Sequence, residues 1–273
     1  MRGSDWRTLG ALVAAALFAL PLLLLVTGSF RPDGVPAPAT PELWPDPAST
    51  GSYSAAIELG GLGRATLNSL VVAVVAVPLS TLVAAWAGFA LTRLPPRSRG
   101  VVLGLCLVAL MVPVTALVVP RFALYRQLGL IDTLVPLMAP ALIATSPFYV
   151  LVYYLAFRAV PRDLYDACLL ADVSPMRTWW RVAMPLVRPV TVAVAALTFV
   201  LSWSNFLEAL VFVYDRELFT LPLALRSLST LDSTDYPVLL AGSVLAALPA
   251  VVLFGVAQRR FLHQYRGPGW LGR

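Results

Sequence analysis

The sequence predicts an all-α, polytopic membrane protein. Six membrane-spanning helices, several of them kinked, carry one structured cytoplasmic loop between the fourth and the fifth. Three observations predict it. The 273 residues are 59% hydrophobic and 12% charged, with mean hydropathy +0.81, where a soluble domain carries about 25% charged residues. Six uncharged stretches approach or exceed the roughly 20 residues that cross a bilayer. The arginines fall mainly on one side of those stretches. No stretch alternates polar and apolar residues with a strand period, which argues against a barrel. Backbone groups in lipid must be satisfied within their own segment, so helices follow. The two cysteines, Cys106 and Cys168, are too few for a disulfide framework or a cysteine metal site.

The six stretches are Leu9–Phe30, Ala65–Thr92, Val101–Pro120, Thr133–Phe157, Pro189–Leu207 and Tyr236–Gln258. Arg2 and Arg7 ahead of Leu9–Val26 have the outline of a secretory signal. The apolar run is long for one, however, and no Ala-x-Ala stands just after it, so a retained helix is expected. Arg31–Arg64 is the longest external segment. Its first half holds Pro32, Pro36, Pro38, Pro41, Pro45 and Pro47, and proline fixes φ and removes a donor, so extended irregular chain is expected there. Leu94-Pro95-Pro96-Arg97 reads as a tight turn. Pro21, Pro78, Pro113, Pro147 and Pro249 lie inside spans and predict kinks whose freed carbonyls need neighbours. The fifth stretch continues through Ala209–Tyr214 if Glu208 is tolerated inside it.

Arg158–Arg188 is too long for a simple turn. Pro161 can open a helix, with Asp163 facing the positive end of its dipole. Leu164, Ala167, Cys168 and Ala171 then share one helical stripe. Ser174-Pro175 reads as N-cap and first residue of a second helix, Pro175–Met184. Composition alone leaves this pair either a docking element or a packing device on the membrane surface.

All 20 basic residues are arginine. With both termini cytoplasmic, 14 arginines and 4 acids fall inside, and 6 arginines and 9 acids outside. That is the asymmetry of an inner-membrane protein, and it accounts for the basic pI without nucleic acid. Glu208 is the one acid within a span. A charge there lines a pathway or gate, or pairs with a backbone group or an arginine. Asn68, Ser69, Ser204 and Asn205 could line a path or bind helix to helix. Trp179 and Trp180, in the inner loop, are expected to anchor the interface. His263 falls in a polar tail, and Cys106 reads as a small core residue.

Residues Val160–Ser174 resemble, without a gap, the EAA loop of binding-protein-dependent ABC importer permeases. In the carbohydrate branch that loop reads I-P-x-E-L-E-E-A-A-x-I-D-G-A-S, then L-P-L-x-x-P. Val160, Pro161, Leu164, Asp166-Ala167-Cys168 and Ser174 fit it, and Met184-Pro185-Leu186 with Pro189 closes it. Asp172 stands where the family has Gly, and Cys168 replaces an Ala. Four shorter motifs follow the family in order: Leu67-Asn68-Ser69-Leu70, the Pro120–Thr133 outer turn with its Leu128-Gly129-Leu130-Ile131-Asp132-Thr133 core, Trp203-Ser204-Asn205-Phe206-Leu207-Glu208, and Gln258–Phe261. The second of the two residues after Trp203 is the family's Asn, one position late. The tail Gly267–Arg273 diverges.

The resemblance implies one permease domain over residues 1–273, with its core at about 65–260 and its coupling loop at 158–188. It implies a transmembrane subunit of an ATP-driven importer of sugars. Partners would be a second permease subunit of a different chain, two cytosolic ATPase subunits, an extracytoplasmic binding protein and membrane lipid. Leu164, Asp166, Ala167, Cys168, Ala171, Asp172 and Ser174 would couple to the ATPase. Asn68, Ser69, Asn205 and Glu208 are candidates for the path. No catalytic or metal site is expected in this chain. ATP and magnesium would belong to the partners, since a chain without lysine holds no Walker A motif. The same architecture could serve an amino acid, peptide or polyamine. An ion-coupled secondary transporter would carry paired half-folds and several intramembrane charges, and a membrane enzyme would carry convergent acids or histidines.

Overall fold

The computed structural model describes residues 3–38, 43–143, 146–231 and 236–264. Parts of the proline-rich segment (39–42), of the fourth predicted stretch (144–145), the acids Asp232 and Asp235, and the tail from residue 265 onward lie outside the described residues. So do the side-chain surroundings of His263. Every regular element among the described residues is helical.

Helix α1 is Gly3–Gly28 and α3 is Leu62–Arg93. Both extend a few residues beyond the stretches predicted for them. The last helix, Tyr236–Gln264, does likewise. These three are long and apolar enough to cross a membrane on their own. The α1 window has none of its residues buried by the rest of the chain. An apolar face of that size is stable only against lipid or another protein.

The other stretches depart from continuous spans, each at a proline or a polar pair. The third becomes α4, Pro96–Met111, a 3₁₀ turn at Val114–Leu117, and α5, Val118–Gln127. The chain bends by 88° between them. Pro113 is the N-cap of the 3₁₀ turn, and its missing N–H ends the α4 ladder. The fourth becomes two short helices, α6, Val135–Ile143, and α7, Pro147–Ala159, neither long enough to span alone. The fifth becomes α10, Arg188–Trp203, and α11, Phe206–Phe212, separated at Ser204-Asn205. Among the described residues three helices are long and apolar enough to span alone, and up to five spans are present when each bent pair counts as one. The remaining helices are α2, Gly51–Leu59, within the long external segment; α8, Arg162–Leu170; α9, Pro175–Leu186; α12, Leu221–Leu231; and α13, the last helix.

The chain forms two compact units. One comprises Met1–Leu67 and Phe219–Pro249. In it Ser29 Oγ and the Tyr53 hydroxyl share a hydrogen bond of 2.7 Å, and Ser52 Oγ donates to the Arg31 carbonyl at 2.6 Å. Both serines are fully buried, so these bonds meet polar needs that lipid could not. The other unit comprises Asn68–Leu218 and Ala250–Arg273. Its core packs Ala84, Ala85 and Phe89 of α3 against Tyr153 and Phe157 of α7 and Trp179 of α9. The Phe89 and Phe157 rings meet edge to face at 5.4 Å. Small residues let these helices approach closely. A Cβ on Gly88 would stand 2.6 Å from Tyr153 Cβ and 2.8 Å from the Tyr154 backbone nitrogen.

Gly88→Ala is therefore expected to lower stability by about 1–3 kcal/mol through overpacking. Gly104→Ala, in α4 with no atom near its added Cβ, is expected to hold or gain stability. Thermal unfolding of both variants in detergent checks this. Equal melting temperatures for the two would refute the close α3–α7 contact.

Candidate functional site

Two constellations concentrate the polar chemistry of the larger unit. The first is the predicted loop. Helix α8 begins one residue later than expected, with Pro161 as N-cap and Asp163 in its first turn. It is seated by Tyr165, whose hydroxyl donates to the Phe157 carbonyl at 3.1 Å. The Tyr165 ring lies 6.1 Å from Phe89, and the Arg93 guanidinium stands over it at 5.3 Å. None of the α8 residues is buried. Leu164 is 41% exposed, Leu169 72% and Leu170 89%, and Asp166, Ala167 and Ala171 are exposed while Cys168 is half-buried. The predicted stripe is therefore left uncovered, widened by Leu169 and Leu170.

The turn after α8 is closed by two backbone bonds. The N–H of Val173 donates to the Cys168 carbonyl at 2.9 Å, and that of Asp172 to Leu169 at 3.1 Å. This is the Schellman pattern, which needs a left-handed residue just past the helix. Asp172 occupies it with φ 51°, the geometry for which glycine is best suited and Asp is among the tolerated alternatives. Ser174 is the N-cap of α9 with Pro175 at its first position, although its hydroxyl makes no cap bond. The helix runs to Leu186, two residues past expectation, with a π-helical segment over Thr178–Ala183. An 82° bend then leads into α10. Only Trp180 is exposed as an interfacial anchor would be. Trp179 is buried and stacks on Trp86 at 6.3 Å, because the π-turn rotates it onto α3.

The second constellation joins α5 and α11. Glu208, 8% exposed, forms an ion pair with Arg121. Asn205 Nδ2 donates to Glu208 Oε2 at 3.0 Å, and the Glu208 N–H donates to Asn205 Oδ1 at 3.3 Å. Asn205 is thus the N-cap of α11 and Glu208 its third residue, a capping-box spacing legible in Asn-x-x-Glu. The Arg121 guanidinium also lies over Tyr125 at 5.7 Å and Phe212 at 5.6 Å. Of the two roles open for Glu208, the structure supplies the arginine. Beside them, the Asp132 N–H donates to the Phe212 carbonyl at 2.8 Å. Asp132 Oδ1 accepts the N–H groups of Asp215 at 2.8 Å and Tyr214 at 2.9 Å. Those two donors, Asp215 first, hold the Asp132 carboxyl below its ordinary value. Asp132 sits at φ 61° and Gly129 at φ 68°, so both ends of the Leu-Gly-Leu-x-Asp-Thr turn are left-handed.

Asn68 donates to the Glu217 carbonyl at 2.8 Å and Ser69 is buried. A cavity of about 470 Å³ between α3 and α10 is lined by apolar side chains such as Leu70, Val74 and Phe199. None of Asn68, Ser69, Asn205 and Glu208 lines it. Tyr165 is not singled out in the sequence, and Arg121, Tyr125 and Asp132 enter it only as members of the Pro120–Thr133 turn, with no partner assigned. Their signal was an arginine, a tyrosine or an acid at the edge of an apolar run, which gains meaning only with its partner.

A helical membrane protein whose spans are broken by prolines, with a helix–turn–helix loop held at their end, is a transport permease in its architecture. Residues 76–264 match the family described as binding-protein-dependent transport system inner membrane component, and the chain belongs to that family. It is 32% identical over 258 residues to the arabinooligosaccharides transport system permease protein AraQ of Halalkalibacterium halodurans, covering 93% of this chain and 92% of the relative. It is 30% identical to the lactose transport system permease protein LacG of Rhizobium radiobacter, over 73% of this chain and 72% of that one. Its fold matches a chain of a bacterial ABC transporter involved in import of the acidic polysaccharide alginate. The TM-score is 0.81 at 19% identity, covering 96% of this chain and 99% of that one.

Two outcomes follow. Arg121→Met or Glu208→Leu alone is expected to cost roughly 3 kcal/mol by leaving a buried charge unpaired, and the double variant to recover much of it. A double-mutant cycle on thermal unfolding measures the coupling, and additive losses would dismiss it. Asp172→Gly is expected to stabilise the loop by up to about 1 kcal/mol, and Asp172→Val to destabilise it. Hydrogen exchange at the Asp172 and Val173 amides reads the change. Slower exchange in the valine variant would contradict the assignment.

Proposed function

We propose that this chain is the translocating subunit of an ATP-driven importer of a carbohydrate. An extracytoplasmic binding protein delivers the sugar, and cytosolic ATPase subunits power the transport. The observation that carries the proposal is α8: a short helix fixed at Tyr165 and closed by a Schellman turn, yet leaving Leu164, Ala167, Leu170 and the following Ala171 exposed. Such a face is built for a second protein. Small alanines permit close approach, and Asp166 offers a carboxylate to basic groups or backbone donors. ATP hydrolysis falls to the partners, because no lysine is present for a phosphate loop.

The cargo is inferred from the relatives, whose names specify arabinooligosaccharides and lactose. The arginine excess places both termini and α8 at the cytoplasmic face. ATPase closure would push α8 and α9 as one body, and the bends before α5 and α10 give the spans places to swing. Asn205 and Glu208 hold the break between α10 and α11 and Asn68 holds α3 to the 216–218 turn, so these candidates shape the path as supports. The second permease subunit is read as a different chain, as the family implies.

Co-expression with the neighbouring ATPase and affinity capture tests the docking face. Ala167→Arg and Leu170→Glu are each expected to reduce recovered ATPase at least tenfold and to abolish uptake of labelled oligosaccharide. Full recovery with both variants would rule α8 out.

A further inference from the structure

A cleft of about 280 Å³ opens where the ends of α3, α4, α7 and α8 meet. Its charged lining is Arg93, Arg99, Arg158, Arg162 and Asp166, with Thr92 and Tyr165 beside them. Four guanidinium groups thus face one carboxylate. Among the described residues no carboxylate lies within ion-pairing distance of any of the four. Two are held by aromatic rings: Arg93 over Phe89 at 4.9 Å and over Tyr165 at 5.3 Å, and Arg158 over Tyr154 at 5.7 Å with a bond of 3.3 Å to its hydroxyl. Ring contacts orient a guanidinium while leaving most of its five donors unspent. The N-terminal end of α8, a helix of nine residues, adds its positive dipole end. Like charges gathered this closely repel one another and need an anion.

The surroundings of the cleft identify that anion. Arg99 lies in the first turns of α4, which buries none of its residues and exposes Val101, Leu105 and Val108 along its length. Beside the basic cleft thus lies an open apolar helix face, the arrangement that a molecule with a charged head and hydrocarbon chains fits. A soluble anion would leave that face uncovered.

We propose that this cleft binds the phosphate of an anionic phospholipid headgroup, with the acyl chains lying along α4. Arg99 and Arg162 supply forked donors to the phosphate oxygens, and Arg93 and Arg158 supply fixed positive charge. Because Tyr165 and Arg162 belong to α8, a bound lipid ties the position of that helix to the membrane surface. The identity of the leaflet rests on the cytoplasmic placement proposed above, but the binding itself does not.

The test uses the full chain in nanodiscs of phosphatidylcholine containing a minor fraction of phosphatidylglycerol, followed by native mass spectrometry of retained lipid. Wild type is expected to retain phosphatidylglycerol in preference to phosphatidylcholine. Each arginine near an anionic surface is worth about fivefold, so Arg99→Gln with Arg162→Gln is expected to weaken that preference by about 30-fold. Arg177→Gln with Arg181→Gln removes the same charge outside the cleft and is expected to leave it within twofold. Equal losses in both pairs would reduce the effect to diffuse surface charge and overturn the site. Displacement of the lipid by millimolar glycerol phosphate would make it a soluble-phosphate site and overturn the lipid assignment. A cleft variant that keeps its lipid but no longer captures the ATPase would assign the arginines to the partner interface instead. Both leaflets of the nanodisc are alike and no cargo is present, so failure here leaves the importer reading standing.

Discussion

The ion pair between Arg121 and Glu208 is the constraint on which the middle of the larger unit depends. Two charges withdrawn from water are stable only as partners, and each is surrounded so that it cannot find another. Asn205 occupies one carboxylate oxygen, and the guanidinium lies against the rings of Tyr125 and Phe212. The pair joins two helices that each follow a break: α5 after the bend at Pro113, and α11 after the interruption at Ser204-Asn205. Without it both breaks would be loose joints in apolar surroundings, with backbone groups exposed where no water compensates. With it they are fixed corners. Asp132 does the same work a few residues on, clamping the end of α11 through two backbone N–H groups.

A second constraint acts where α3 meets α7. Gly88, Ala84 and Ala85 let α3 lie directly against α7, and the large rings of Tyr153 and Phe157 fill the space beside them. Since lipid is as apolar as the side chains, packing and not solvent exclusion selects this arrangement. That packed wall supports Tyr165, which in turn sets α8. The loop is therefore rigidly based although its outer face is exposed.

Much of this was legible in the residues. Hydropathy runs located α1, α3 and α13 within a few positions, because a continuous apolar helix is a local property with one solution in lipid. The turn after α8 had a mark in the sequence as well: Asp172 stands where the resembled loop has Gly, and its φ of 51° is the left-handed geometry that glycine suits. Ser174-Pro175 marked the next helix start for the same local reason, since proline's fixed φ suits only the first helical position. The kink expected at Pro113 is a bend of 88°, whereas the break at Ser204-Asn205 has no proline to mark it. A proline or a polar pair in a span permits a kink of any size, and neighbours set the angle.

By itself, then, the sequence determined the class of solvent, the side on which the arginines gather, the helix starts and stops marked by proline and capping residues, and the family. The tertiary structure alone decided which charges meet. Glu208 found Arg121 across 87 positions, and Asp132 found the N–H groups of Tyr214 and Asp215 across more than 80. It also decided that Trp179 turns inward while Trp180 does not, and that four arginines from four elements share one cleft. The physical reason is common to all three. Hydropathy and capping act between residues a few positions apart, whereas charge pairing and ring packing depend on distances that exist only once the helices have crossed.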